Sequence, residues 1–138
     1  MVDYYTPVFN RLNAVSSLAG KVFDSVRVTS AGEAVRENYV VIMNVLPVAL
    51  DDERYTARQA LESSGDVAVD VRVAATSAAG RRFLVDAVTT QLVGHALTVT
   101  GRTCEPIRWD LPATPGRYDP TARLHWQDLE FLFMSRRT

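Results

Sequence analysis

The chain has 138 residues with 15 basic and 16 acidic side chains, a net charge of −1. A balance this even leaves no global field to hold nucleic acid or an anionic membrane surface. The apolar fraction of 47% and the charged fraction of 22% are those of an ordinary globular chain. A single domain over 1–138 is expected, since a chain of this size buries roughly 68–70% of its unfolded surface without metal or disulfide support.

The first element reads as a helix. Thr6 before Pro7 predicts an N-cap followed by proline at the first helical position. Val8, Phe9, Leu12, Val15 and Leu18 repeat at helical spacing, and Gly20 predicts the stop. Val22 to Val28 reads as a short strand, and Thr29 to Asn38 as a loop. Tyr39 to Leu46 is rich in β-branched residues and nearly free of polar ones, which predicts a strand covered on both faces until Pro47 interrupts its ladder. Ala49 to Gly65 reads as a long polar connection, and connections of this length in a compact domain usually carry function.

The clearest pattern lies at Asp66 to Ala75. Val67, Val69, Val71 and Val73 alternate with Asp66, Ala68, Asp70, Arg72 and Ala74, which predicts a strand with one buried face. Ser77 predicts a cap for a second helix with Phe83, Leu84, Ala87, Val88 and Leu92 inward and Gly94 as its end. Ala96 to Thr100 reads as a brief strand. A stiff crossing follows, with Pro106, Pro112, Pro115 and Pro120 pre-setting the backbone and withdrawing amide donors. The last strand, Ala122 to Ser135, breaks its own parity, because Leu124 and Trp126 share one phase and Leu129, Phe131 and Phe133 the other. Two arrangements account for this: a bulge near Gln127–Asp128, or a strand covered on both faces, one by helices and one by another subunit. The second is the favoured reading. The expected fold is α+β, a mainly antiparallel sheet of about four strands with two helices packed on one face.

The residue types that carry chemistry are sparse. Cys104 is the lone cysteine, so neither a disulfide framework nor a thiolate metal cluster is expected. The N-terminal MVDYYTPVF has no basic start or apolar core of a signal peptide, and Tyr39 to Leu50 is too short to span a bilayer; a protein kept in a reducing cytoplasm is expected. His95 and His125 have no carboxylate at ligand spacing, and His95 reads as a helix C-terminal cap. No glycine run cradles phosphate. Asp66 and Asp70 with Arg72 form either an acid–base pair or, more plainly, a charge ladder. Enzymatic function, cofactors and metals are not expected, although Cys104, His125 and Asp119 form the candidate set for a small cysteine-dependent hydrolase. A ligand-binding domain would need a sizeable apolar pocket.

Arginine and aromatic side chains on the stiff crossing, Arg108, Trp109, Arg117 and Tyr118, have the composition of a protein-binding anchor, with Trp109 alternatively covering the core. Arg136 follows the last strand and is a candidate for fixing an interface edge. The PVFNRLNAV helix, the VAVDVRVAATS junction, the RTCEPIRW segment and the RYDPTARLHWQDLEFLF crossing together resemble the tail-terminator (tail-completion, tail-to-head joining) proteins of long-tailed bacteriophages. The resemblance covers nearly the whole chain and brings no catalytic residues. It implies a subunit that closes with copies of itself into a hexameric ring, caps the major tail tube protein and meets a head-completion or connector protein. Contact with nucleic acid would be limited to DNA passing through the ring, and no membrane is involved. It implies a place in the virion at the head–tail interface, with the host cytoplasm as the site of assembly. A head-side neck connector, a stopper or adaptor, is the neighbouring reading. The regions expected to touch neighbours are the crossing and the 49–65 connection, with Asp51, Asp52, Glu53 and Arg54 on a docking loop.

Overall fold

The computed structural model describes residues 2–47, 64–110 and 114–138. Among them the element order is α1 (Tyr5–Asn13), β1 (Val22–Phe23), β2 (Tyr39–Pro47), β3 (Ser64–Ala75), α2 (Ala78–Leu92), β4 (Arg102–Cys104), β5 (Arg108–Trp109), β6 (Arg117–Asp119) and β7 (Leu124–Arg137). The fold is α+β, but the expected sheet of about four mainly antiparallel strands is corrected to a curled, mixed sheet of seven. Two causes produce the difference. β1 runs parallel to β2, with Val22 opposite Val40 and Phe23 opposite Val41. β7, at 14 residues, is long enough to pair with β3 along one edge and with β6, β5 and β4 in turn along the other. Those three partners span two or three residues each, too few for a period of two to show in sequence.

The alternation in β3 sets the inner face. Val67, Val69, Val71 and Val73 are buried with Leu129, Phe131 and Phe133 of β7 against Val8 and Leu12 of α1 and Leu84, Val88 and Leu92 of α2. Each such side chain contributes roughly 1.5–3 kcal/mol when removed fully from water. Ser77 caps α2 as its sequence predicts, its Oγ accepting from the Gly80 amide at 3.0 Å. α1 is capped differently. Thr6 lies inside the helix, and the carboxylate of Asp3 accepts from the Thr6 amide at 3.1 Å and from its hydroxyl at 2.5 Å. α1 also ends at Asn13 instead of Gly20; the turns that follow still bury Leu18. Arg11 donates to the Gln91 carbonyl and ties α1 to the last turn of α2.

Two further strand readings are corrected. Ala96 to Thr100 forms no strand, although Leu97 and Val99 are buried in alternation; among the described residues that stretch pairs with no strand. The strand expected over Val22 to Val28 stops at Phe23, and Val26 and Val28 stand exposed on an arm held by the Thr29–Glu33 turn and an Arg27–Glu37 ion pair of 2.7 Å.

The parity of β7 resolves without a bulge against β3. Their register runs unbroken from Ser64 opposite Arg136 to Ala75 opposite His125. The odd positions face the core, including Gln127, which occupies an inward site with a polar side chain. Trp126 lies on the outer face, away from the helices, where arginines cover it. The bulge falls in β2 instead, between Ile42 and Asn44.

Candidate functional site

The crossing is fastened to the sheet at several points. Trp109 lies opposite Phe131, and their rings stack with centroids 4.6 Å apart, so the indole joins the main core. Arg108 lies opposite Leu132 on the outer face, half-exposed, with Nη2 3.8 Å from Asp66 Oδ1. That oxygen is buried and accepts no hydrogen bond, so the contact is a loose Coulombic one.

Arg117 pairs with Trp126 and holds its guanidinium 5.6 Å from the ring centroid, while Arg72 reaches the same ring at 4.4 Å. Arg72 also makes a two-pronged contact with Asp128, Nε to Oδ1 at 2.7 Å and Nη2 to Oδ2 at 3.0 Å. A planar guanidinium satisfies both demands at once, stacking on an aromatic face while its edge meets a carboxylate. Tyr118 rests on His125 with centroids 4.7 Å apart and remains 51% exposed. Asp119 accepts from the amides of Thr121 and Ala122 at 2.9 and 3.2 Å, closing the turn into β7.

Beneath these side chains is a latch that sequence reasoning missed. Arg81 of α2 donates to Gln127 Oε1, Gln127 Nε2 donates to the Thr114 carbonyl at 2.7 Å, and Thr114 Oγ1 donates to the Asp128 carbonyl at 2.6 Å. The Arg81 guanidinium passes under Gly116, so close that a Cβ there would lie 1.8 Å from Nη1. The only sequence signal was Gly116 itself, readable as a turn former; the need for a missing side chain comes from α2, far away in the chain.

The Asp66, Asp70 and Arg72 set resolves into separate partners. Asp66 approaches Arg108, Arg72 binds Asp128, and Asp70 lies opposite Asn44 and Glu130. Burial pushes the Asp70 carboxyl up, a hydrogen bond from Asn44 opposes this, and the charges of Asp110 and Asp128 add to the rise. A shallow cleft of about 240 Å³ opens beside it, lined by Met43, Asn44, Asp70, Val71, Asp128, Leu129 and Glu130. Three carboxylates, those of Asp70, Asp128 and Glu130, share its lining with the apolar Met43, Val71 and Leu129.

The candidate cysteine–histidine pair is separated. Cys104 lies opposite Ser135 and Tyr118 lies opposite His125, so the thiol and imidazole sit at opposite ends of β7. Ten residues of strand between Ser135 and His125 correspond to about 33 Å, far beyond proton-transfer reach. Burial also pushes the Cys104 thiol up, against a hydrogen bond to Ser135 and the charge of Arg102. His95 contributes through its backbone, its amide donating to the Leu92 carbonyl at 3.2 Å and its carbonyl accepting from Ile107 at 2.9 Å. Among the described residues no group of three or more His, Cys, Asp or Glu side chains could hold a metal ion, and no helix is long and apolar enough to cross a membrane. Arg136 sits exposed on the outer face near the end of β7. Asp51, Asp52, Glu53 and Arg54 lie outside the described residues.

The fold is shared with a chain in the solved structure titled "Virion of native gene transfer agent (GTA) particle". The two superpose with a TM-score of 0.69 over 94% of this chain and 91% of that one, at 18% sequence identity. At that identity the likeness is one of fold. No family model matches this chain, and no curated protein does.

Proposed function

We propose that this protein is a non-enzymatic structural subunit of a phage-like virion, and that it acts as a tail terminator. In this reading it closes with copies of itself into a hexameric ring, ends growth of the tail tube and offers the opposite surface to a head-side connector. The observation that carries the reading is the shared fold with a chain of a gene transfer agent virion, which extends over nearly the full length of both chains.

The surface chemistry supports it. A ring requires two different patches on each subunit, since the contact is head-to-tail. Arg108 and Arg117, paired with the outer-face residues Leu132 and Trp126, and the exposed Tyr118 bring guanidinium and aromatic groups to β7, with Trp109 packed into the core beside Arg108. Arginine and aromatic side chains are among the residue types that dominate protein–protein affinity when a partner buries them at the centre of a contact. The Asp51 to Arg54 segment belongs to the same proposal as the second contact.

The test is deletion of the gene from the phage or particle that carries it, followed by electron microscopy of the assembled material. The expected outcome is tails of uncontrolled length that fail to join heads. Tails of normal length accumulating beside filled, tailless heads assign the protein to the neck connector instead. Normal infectious particles refute the virion reading altogether.

A further inference from the structure

The outer face of β3 and β7 carries its chemistry in ordered rows. One row holds Asn44, Asp70 and Glu130 side by side, with Asp110 brought up to it by its amide, which donates to the Glu130 carbonyl at 3.0 Å. Neither Asp70 nor Glu130 has an ion pair among the described residues. The next row along β2, β3 and β7 is apolar, Leu46, Ala68 and Leu132, with Leu46 52% exposed and Arg108 of β5 at its end. Met134, 38% exposed, follows beside Asp66, and Arg136 comes last, exposed and without an ion pair among the described residues. Successive rows are about 7 Å apart, two residues of strand. Along β7 itself the order is therefore acid, apolar, apolar, base, while Arg108 flanks the Leu132 row and Asp66 the Met134 row, 3.8 Å from each other.

That order is complementary to itself when reversed. A two-fold axis lying across the strands at the level of Phe133 exchanges position 130 with 136 and position 132 with 134. Two outer faces brought together this way set the carboxylates of one copy against Arg136 of the partner subunit, and Leu132 against Met134 of the partner subunit. We propose that this face is the contact of a symmetric dimer of the chain, held by two reciprocal Glu130–Arg136 pairs flanking a small apolar centre. A second copy is the occupant because the face supplies both halves of the complementarity itself, the condition for an isologous interface. Burial first, and then the charges of Asp110 and Asp128, raise the Asp70 carboxyl, and an incoming guanidinium nearby favours its charged form. A curled sheet limits the contact to a short patch, so the dimer is a weak one. The inference stands apart from the virion reading, since a ring uses head-to-tail contacts and this one is two-fold.

The test is sedimentation of the purified full chain over roughly 1 to 200 µM at low salt, a range that captures weak association. The parent should pass from monomer to dimer. Glu130→Arg alone and Arg136→Glu alone each turn both pairs repulsive, and each should weaken dimerisation by at least about tenfold. An equimolar mixture of the two variants regains both attractive pairs in a heterodimer and should restore association to near the parent level. Circular dichroism checks that both variants are folded. A parent that stays monomeric, variants that associate as the parent does, or a mixture no stronger than its components overturns the proposal.

Discussion

Replacing Gly116 with alanine puts a methyl group where the Arg81 guanidinium now runs. The added carbon would lie 1.8 Å from Nη1, 2.1 Å from Cζ and 2.7 Å from Nε, so the arginine must leave. Gly116 is not among the glycines of positive φ, so alanine brings no backbone strain and the cost is the lost contact. Arg81 is partly buried and regains water as it moves, but Gln127, 8% exposed, loses the charged donor to its Oε1. Hydrogen bonds to charged groups contribute about 1.5–3 kcal/mol, and rehydration of Arg81 lowers the net loss to about 1–2 kcal/mol. For a chain of this size that corresponds to a fall in Tm of roughly 3–10 °C. The assay is thermal and urea unfolding of Gly116→Ala, Arg81→Ala and the double variant. In the Arg81→Ala background the methyl meets no guanidinium, so the second substitution should cost less than about 0.5 kcal/mol. An equal cost for Gly116→Ala in both backgrounds refutes the account, as does a single variant that melts with the parent.

Two further outcomes follow from the outer face and from β4. The Asp70 carboxyl has a folded pKa above its unfolded value of 3.8, so the folded state holds its proton more tightly and stability falls as pH rises from that value through the folded pKa. Asp70→Asn should therefore raise Tm at pH 7, with the gain vanishing near pH 3; a variant less stable than the parent at pH 7 contradicts the sign. The Cys104 thiol, raised by burial above 9.0, should alkylate slowly with iodoacetamide at pH 7.5 and accelerate only at more alkaline pH. Rapid labelling of the folded protein at neutral pH would place it among reactive thiols after all.

How far the fold can be read from residues depends on how local each cause is. Val67 to Val73 alternate strictly, and one buried face of β3 follows from that pattern alone. The stripe Leu84, Val88 and Leu92 behind Ser77 likewise belongs to one helix and its own cap, whereas Phe83, expected inward with them, stands 56% exposed. By contrast, Thr6 and Pro7 read as the helix start in the sequence, yet Asp3 supplies the hydrogen bonds because its carboxylate reaches two donors on one residue. On the crossing, Arg108, Trp109, Arg117 and Tyr118 were legible as a composition, but composition could not sort them. Trp109 turned to the core and Arg117 and Tyr118 remained at the surface because β5 and β6 meet β7 at different points of its length.

The amino-acid order by itself determined the α+β class, the inner face of β3 and the amphipathic α2, all of them consequences of side-chain period over one element. The tertiary structure alone decided that β7 is central, that three fragments of two or three residues share its far edge, and that Trp126 is shielded by Arg72 and Arg117. Pairing of such short segments contributes too little locally to leave a periodic signature. Their conformation is imposed by a long strand that offers unpaired amides and carbonyls, and every buried backbone group must find a partner.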